Sequence, residues 1–426
     1  MFRKIVTILL VLTMIFSFSG CKKNTGTCLI KKVEYPQSVA YDDKDLKNQI
    51  LEENKIDEDF KKSLNSFTAL TSSILLSSNS KNVSYSPVSL FMSLSLLSQG
   101  ASVEVRDEIL NSIFLSQENN DYISSQCSKL YRTLYTDNKV GKFHIANSLW
   151  LNKSYTYDYY FIKNAFENYY TSSYNINFDD IDHLIIMRDW IKEASHNLLS
   201  NTVAKKKSHI LTQISSIYVK DEFLYQFDKS NTEKHIFYMN DGEEIEQKFM
   251  SISLPSSSYT IGESYVSTEL PLKNLGSMLI VLPNEGISTK TLMTGAENVK
   301  NIFYSSQENV GQVNLKMPHF SIPSKLQLEE LLSYIGIEKM FNTTGGLDGV
   351  SNREAKMSLV SQHSCVEVNE KGINTNSKTK SDKEPVNNDN TNENTININV
   401  NRPFIYAIKA SDGTIINIGI CNYPGE

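Results

Sequence analysis

Apolar residues follow a helical spacing in the first part of the chain and form strand-like runs later. Over 60–76 they fall every three or four residues, which predicts one face of a helix. Segment 87–99 is apolar almost all round and is followed by Gly100, so it predicts a buried helix with a glycine stop. An amphipathic third helix is predicted over 103–114.

Short runs rich in apolar and β-branched residues dominate the rest of the chain and predict strands. The predicted strands are 146–151, 211–219, 235–239, 244–250, 278–282, 404–408 and 415–420. Asn240-Asp241-Gly242 and Ser411-Asp412-Gly413-Thr414 are turn sequences that join neighbouring strands into hairpins. Helices come first, and antiparallel strands with interspersed helices follow, so the predicted class is α+β.

One long segment has the wrong composition for a packed domain. Residues 373–399 contain no aromatic side chain and one proline among many Asn, Lys, Ser and Thr residues. The flanks at 365–368 and 396–400 are strand-like, so the segment is an excursion within the domain. An exposed loop of this length is usually functional or a linker.

The amino terminus resembles an export signal. A basic start precedes an apolar run over 5–18, which is too short to span a membrane comfortably. Phe18-Ser19-Gly20-Cys21 resembles a bacterial lipobox, which predicts a signal peptide at 1–20 and lipid attachment at Cys21. An ordinary secretory signal, with Cys21 incidental, is the alternative. Residues 21–55 are predicted as a polar tether and 56–426 as a single domain.

Composition narrows the function classes. The chain has 426 residues, 40% hydrophobic and 21% charged, with a net charge of −6. This is ordinary for a soluble globular protein and excludes a globally basic nucleic-acid binder. GxSxG, HExxH, GxxxxGK[ST] and GxGxxG are absent, so we expect neither an enzyme nor a metal or cofactor site. The scattered Cys28, Cys127, Cys365 and Cys421 lack CxxC spacing, and we expect most of them to be free and buried.

A series of short motifs resembles one family in order and spacing. They are NVSYSPVS at 82–89, GASVEVRDEIL at 100–110, ANSLW at 146–150, ELP at 269–271, MLIVLP at 278–283, PHF at 318–320, EVNEKG at 367–372 and NRPF at 401–404. Over about 60–424 the chain therefore resembles a serpin. The resemblance implies a fold with three β-sheets, a helical N-terminal half and an exposed reactive-centre loop at about 373–395.

The resemblance also implies a function. The expected protein is a monomeric suicide substrate that traps a serine or cysteine protease by cleavage and insertion of the loop into the large sheet. The expected location is the extracellular face of a bacterial membrane, through the lipid anchor alone, or the secreted medium. A non-inhibitory or substrate-like serpin acting as a cell-surface binding protein is the alternative function.

By resemblance, the hinge of the loop comprises Glu370, Lys371, Gly372, Ile373, Thr375 and Ser377. If Gly372 starts a strand, alternation places Ile373, Thr375, Ser377, Thr379 and Ser381 toward the core. The outward series, Asn374, Asn376, Lys378, Lys380 and Asp382, carries all the charges and amides. A polar loop also produces this pattern by chance. The family usually has an Ala-rich arm here, so the polar arm predicts slower insertion and some substrate-like turnover.

Two further sites follow from the resemblance. The first is the shutter, the group of residues under the large sheet, which is assigned to Ser86, Ser89, Ser215 and Gln362. We expect Gln362, Ser215 and Ser86 to form a hydrogen-bonded cluster. The reactive bond is assigned to Val386–Asn387, which suits an elastase- or subtilisin-like protease. Because the loop is long, a bait residue at Asn387, Asn388 or Asn390 stays open, and Lys383 would suit a trypsin-like enzyme.

Overall fold

The computed structural model describes residues 28–180, 182–200, 210–304, 308–351, 355–374 and 395–425. The predicted signal peptide and Cys21 lie outside the described residues. So do Thr375, Ser377, Val386 and Asn387 of the predicted loop.

The helices of the described residues begin mostly in the first half of the chain. They are α1 (Lys44–Glu53), α2 (Glu58–Ser78), α3 (Pro87–Ser98), α4 (Val103–Ser112), α5 (Asn120–Leu134), α6 (Tyr159–Tyr169), α7 (Asp182–Ala194), α8 (Thr289–Met293), α9 (Ala296–Phe303), α10 (Glu329–Tyr334) and α11 (Lys339–Asn342). The three helices predicted from periodicity are confirmed as α2, α3 and α4. All residues of α3 are buried, which explains its apolar and serine composition. Within the described ranges, no helix is both long and apolar enough to cross a bilayer.

The strands of the described chain include each one predicted from sequence. They are β1 (Cys28–Lys31), β2 (Val83–Tyr85), β3 (Thr136–Asp137), β4 (Lys142–Asn152), β5 (Thr171–Ile176), β6 (Leu211–Glu222), β7 (Glu233–Tyr238), β8 (Glu244–Ile261), β9 (Tyr265–Pro271), β10 (Ser277–Pro283), β11 (Asn309–Pro318), β12 (Phe320–Gln327), β13 (Met357–Asn369), β14 (Gly372–Ile373), β15 (Thr395–Asn399), β16 (Phe404–Lys409) and β17 (Ile415–Cys421). Both predicted hairpins form, β7–β8 and β16–β17.

The strands form two hydrogen-bonded sheets. The first has eight strands in the order β1-β5-β4-β6-β14-β13-β12, with β3 beside β4. The second has nine, in the order β15-β11-β8-β9-β10-β16-β17-β2, with β7 beside β8. The resemblance implies three sheets. Two of them are continuous here because the 18-residue β8 pairs with β7 at its start, with β11 from Phe249 to Tyr259, and with β9 at its end.

Apolar side chains pack on both faces of the first sheet. One face joins the main core, together with α2, α3 and the second sheet. The other face is covered by α7, whose Met187 and Ile191 meet Trp150, Ile214 and Leu359 of the sheet. Trp190 of α7 stands edge-on to Trp150 of β4, with ring centroids 6.2 Å apart.

Three of the cysteines are free thiols. Cys127, Cys365 and Cys421 are all buried, which confirms the expectation for them. Burial raises the pKa of the Cys365 thiol to about 12, so it stays protonated and behaves as a small apolar group.

The segment predicted as a polar tether is packed against the domain from residue 28 onward. β1 pairs with β5 at the edge of the first sheet, and the Val33 amide donates to Ser172 Oγ at 3.1 Å. Tyr35 stacks on Tyr135 and His144 at centroid distances of 5.7 and 5.5 Å. The tether expectation failed for 28–55 because it rested on the lack of a long apolar run. Strand pairing, the buried Val33 and the stacked ring of Tyr35 hold the segment.

Helix α1 continues this packing toward the other end of the sheet. Lys47 Nζ donates to the Asn274 carbonyl at 2.5 Å. At the end of the segment, the Asn54 carbonyl accepts from Thr133 Oγ1 at 3.0 Å, and the Asp57 amide donates to Gln126 Oε1 at 2.9 Å. Residues 28–57 therefore run along the edge of the domain as an ordered N-terminal segment.

This packing predicts a loss of stability for Tyr35→Ala. Two ring contacts of about 0.5–1.5 kcal/mol each are removed, so the free energy of unfolding should fall by about 1–3 kcal/mol. Urea unfolding followed by circular dichroism measures it. Tyr334→Ala is the matched control, because Tyr334 at the end of α10 is 76% exposed and the substitution should change stability by less than about 0.5 kcal/mol. Equal effects of the two variants would contradict the packing role of Tyr35.

Candidate functional site

The centre of the first sheet is split at one end, and the split is where the predicted hinge lies. β6 and β13 pair in parallel from Leu211 and Met357 up to Ile217 and Ser364. Beyond these residues the strands separate, and β14 fills the gap between them. We call the point of separation, above Ile217 and Ser364, the fork.

β14 is antiparallel to both of its neighbours. Gly372 lies opposite Asn369 of β13 and Glu222 of β6, while Ile373 lies opposite Val368 and Asp221. Ile373 is fully buried and belongs to the main core, as the predicted inward series requires. Thr375 and Ser377, the next inward residues, lie outside the described residues.

Gly372 must be a glycine for two reasons. Its φ of +149° is a conformation that side-chain-bearing residues rarely adopt. A Cβ atom on Gly372 would also lie 2.2 Å from the Asp221 carbonyl oxygen. The close approach of β14 to β6 therefore depends on the missing side chain.

The turn between β13 and β14 is held by backbone hydrogen bonds from the segment after β6. The Phe227 amide donates to the Glu370 carbonyl at 2.9 Å, and the Phe223 amide donates to the Lys371 carbonyl at 2.8 Å. Both Glu370 and Lys371 are buried. The predicted hinge residues 370–373 are thus brought together as one anchored turn and strand.

The Glu370 carboxylate has two side-chain partners. Thr232 Oγ1 donates to Oε1 at 2.9 Å, and His319 Nε2 lies 3.1 Å from the same oxygen. The contact with His319 lowers the pKa of Glu370 to about 2, against burial, which acts in the opposite direction. The carboxylate thereby ties the hinge turn to the start of β7 and to the junction of β11 and β12.

Asp221 is a buried carboxylate beside the hinge. It accepts from the amides of Asn274 and Leu275 and from Asn274 Nδ2, at 2.8–3.0 Å. Burial nonetheless raises the pKa of Asp221 above its ordinary value. These bonds fix the end of β6 against the β9–β10 turn.

The predicted shutter forms two hydrogen-bonded groups instead of one cluster. Gln362 of β13 accepts from the Ser86 amide at 2.6 Å and donates to the Ser86 carbonyl at 2.9 Å. Ser215 of β6 donates to Asn147 Oδ1 at 2.8 Å and accepts from Gln213 Nε2 at 2.8 Å. Gln362 and Ser215 are neighbours in the strand register, but their side chains bond to different partners.

The two groups reach α3 separately. Gln213 Nε2 also donates to Ser93 Oγ at 2.8 Å, which ties β6 to the middle of α3. Gln362 ties β13 to Ser86, just before the helix starts. Ser89 is buried on α3, where its carbonyl accepts from Ser93 Oγ. Each side of the β6–β13 boundary therefore has its own attachment to the helix beneath it.

Sequence reasoning missed several residues that the structure places at the site. His319, Asp221, Asn147 and Gln213 were not assigned roles, and Asn374 was placed on the outward face. Asn147 and Gln213 carried a detectable signal, because they are large polar residues on predicted strands that are otherwise rich in apolar and β-branched residues. The position of Asn374 had no such signal, since it depends on where the chain leaves the sheet.

Comparisons with known proteins agree with this architecture. Residues 62–424 match the model of the family described as serpin (serine protease inhibitor). Serine protease inhibitor A6 of Xenopus laevis is 25% identical over 312 residues, covering 72% of this chain and 70% of that protein.

Two solved structures share the fold. Serpin48 of the insect Tenebrio molitor has a TM-score of 0.77 at 23% identity, covering 87% of this chain and 99% of that one. Human thyroxine-binding globulin in complex with its ligand has a TM-score of 0.76 at 20% identity, covering 85% and 99%.

The Gln362–Ser86 contact predicts a stability cost for Gln362→Leu. The buried Ser86 amide and carbonyl each lose a partner, so the free energy of unfolding should fall by about 2–4 kcal/mol, measured by urea unfolding. Gln327→Leu, at the exposed end of β12, is the control and should cost less than about 0.5 kcal/mol. A small effect at Gln362 would mean that Ser86 finds another partner.

The Glu370 contacts predict a defined pH dependence. The folded-state pKa of about 2 is below the ordinary value of 4.5, so ionised Glu370 contributes stability that is fully present above about pH 4.5. This contribution is lost as the pH falls through about 2. The difference in unfolding free energy between the natural chain and Glu370→Gln should therefore shrink as the pH falls from about 4.5 toward 2.

Unfolding at a series of pH values tests this, with Glu330→Gln on the exposed surface of α10 as the control. The control pair should show a difference near zero at every pH. A Glu370→Gln difference that stays constant down to pH 2 would contradict the role of the ionised carboxylate.

Proposed function

The chain belongs to the serpin family, and from that premise we propose that it inhibits a serine or cysteine protease as a suicide substrate. The protease nucleophile attacks a carbonyl carbon in the loop that follows Asn374. The peptide bond breaks, the new amine leaves with a proton, and an acyl-enzyme remains. The freed arm then inserts between β6 and β13 and carries the attached protease with it before the acyl bond is hydrolysed.

The observation that carries this proposal is the position of β14. Gly372 and Ile373 already pair with β6 on one side and β13 on the other, in the antiparallel direction that an inserted arm needs. Continuing this strand would replace one parallel contact by two antiparallel ladders. About ten added main-chain hydrogen bonds, at roughly 0.5–1.5 kcal/mol each, would drive the insertion.

The buried side-chain bonds of the shutter do not cross the boundary between β6 and β13. Gln362 bonds to Ser86, and Ser215 bonds to Asn147 and Gln213, on opposite sides of it. Separating the strands would break the backbone ladder between them and also require one of the two attachments at α3, Gln213 to Ser93 or Gln362 to Ser86, to break or shift. An arm whose inward residues are Thr and Ser would then pass over a lining that is itself polar.

We assign the cleaved bond to Val386–Asn387, which leaves a small apolar residue at the acyl position. Such a residue suits an elastase- or subtilisin-like protease. Cleavage after Lys383 would instead indicate a trypsin-like target, and mass spectrometry of the released fragment distinguishes the two.

We also propose export and lipid attachment at Cys21, on the outer face of a bacterial membrane. Cys28 is paired in β1 only seven residues after Cys21, so the anchor lies within roughly 25 Å of the sheet edge. Through β5 and β4, Cys28 lies near the Leu211 end of β6, whereas Gly372 lies at the Glu222 end. An anchored molecule would thus point its loop away from the membrane.

A non-inhibitory or substrate-like role is the second candidate. It is favoured by the polar arm, in which Asn374, Asn376 and Lys378 stand where the family usually has small apolar residues. Slow insertion would let the protease hydrolyse the acyl bond and depart. Incubation with proteases of the elastase, subtilisin, trypsin and papain types, read on a denaturing gel, separates the candidates. A covalent adduct supports inhibition, and cleavage without an adduct supports the second role.

The alternating arm predicts that Thr375→Arg abolishes the adduct and leaves the intact fold unchanged. An inward arginine would have to be buried as an unpaired charge, which costs several kcal/mol. Lys378→Arg is the matched control, because it keeps the positive charge that the natural arm already carries on the outward face. Equal adduct yields from the two variants would contradict the assigned alternation.

A further inference from the structure

Asn374 lies directly at the fork, where the chain leaves the first sheet. Its Nδ2 donates to the Val219 carbonyl of β6 at 2.6 Å and to the Cys365 carbonyl of β13 at 2.9 Å. Its Oδ1 accepts from the Glu367 amide of β13 at 2.8 Å. One carboxamide therefore bonds both strands at the point where they part.

The backbone of Asn374 completes the arrangement. Its amide donates to the Glu367 carbonyl at 2.7 Å, and its φ of +49° is left-handed. Asparagine tolerates this conformation better than most residues do. The left-handed turn directs the side chain into the plane of the sheet, between the strands, instead of onto the outward face that strand alternation predicts.

The carboxamide thus acts in place of a missing stretch of strand. Carbonyl groups of β6 and β13 that face each other across the gap would need amide donors, and a carboxamide supplies two donors and one acceptor. The three side-chain bonds use the two N–H donors and the oxygen. Any further insertion must first break these bonds and return Asn374 to an extended conformation.

We propose that Asn374 is a positioning residue that closes the fork and sets the rate at which the loop inserts. This inference rests on the proposed function, since insertion is the step that it controls. The bonds stabilise the starting arrangement, and an extended Asn374 on the outward face would not keep them. Removing the carboxamide should therefore speed insertion and shift the outcome of protease attack from turnover toward adduct.

Two substitutions at Asn374 test whether its side-chain bonds close the fork. Asn374→Gly removes all three side-chain bonds and keeps the left-handed conformation accessible. Asn374→Asp keeps the shape and an acceptor for the Glu367 amide, but it sets a carboxylate oxygen against two carbonyl oxygens. Asn197→Gly is the matched control, because Asn197 is also left-handed, at φ +68°, and its side chain is exposed after the end of α7.

The first measurement is amide hydrogen exchange in the intact full-length protein. The Glu367 amide should exchange roughly tenfold or more faster in Asn374→Gly than in the natural chain, because its acceptor is gone. In Asn197→Gly it should exchange at the natural rate. Unchanged exchange in Asn374→Gly would overturn the closure of the fork by this side chain.

The second measurement is the rate of insertion after the loop is cut. Subtilisin at a catalytic amount nicks the loop, the cut is located within 382–390 by mass spectrometry, and the rise in thermal midpoint is followed with time. Asn374→Gly and Asn374→Asp should convert roughly tenfold faster than the natural chain and Asn197→Gly. Rates within twofold of the natural chain would overturn the control of insertion by Asn374.

The two measurements distinguish failure of the proposed inhibitory function from failure of the role proposed for Asn374. If no protein gains stability after nicking, the proposed inhibitory function fails, and exchange at the Glu367 amide alone decides the role of Asn374. If the natural chain does gain stability but the Asn374 variants do so at the same rate, the function stands and the inference fails.

Discussion

The structure of the first sheet depends on one requirement: buried backbone N–H and C=O groups must find hydrogen-bond partners. β6 and β13 run together for part of their length and then diverge, which would leave two facing edges unpaired. Gly372 and Ile373 satisfy part of this gap as a short strand, and the Asn374 carboxamide satisfies the rest. The hinge turn, the glycine and the left-handed asparagine are all consequences of closing that gap.

This closure sits beside contacts that fix both walls of the gap. Glu370 is tied to Thr232 and His319, and Asp221 holds the end of β6 against the β9–β10 turn. Deeper in the sheet, Gln362 and Gln213 attach the two walls separately to α3 and its start. Each wall therefore has its own contacts to the rest of the core. Under the proposed function, the sheet would open along the boundary between the two walls.

Much of this fold could be predicted from sequence, because local patterns dominate where the chain is regular. The periodicity of 60–76, the buried segment 87–99 and the hairpin turns are set by neighbouring residues, and their elements form as predicted. The motif order assigned the hinge to 370–373, and the structure places these residues in one buried turn and strand. Taking Gly372 as the hinge, strand alternation predicted the inward position of Ile373.

Other features depend on long-range contacts that no local pattern encodes. Residues 28–55 look like a solvated tether, yet strand pairing with β5 and the stacking of Tyr35 hold them in place. Asn374 was placed outward because alternation assumes a continuing strand, whereas the chain turns there. Gln362, Ser215 and Ser86 were expected from the resemblance to form one cluster, but Gln362 bonds to Ser86 while Ser215 bonds to Asn147 of β4.

Because α7 covers the first sheet, the intrinsic tryptophan fluorescence of the molecule reports on that interface. Its two tryptophans, Trp150 and Trp190, face each other across the interface between that helix and β4. A new strand beneath α7 would press the helix away from the sheet and change the surroundings of both indole rings. Intrinsic fluorescence would thus register the rearrangement in real time, without any attached dye.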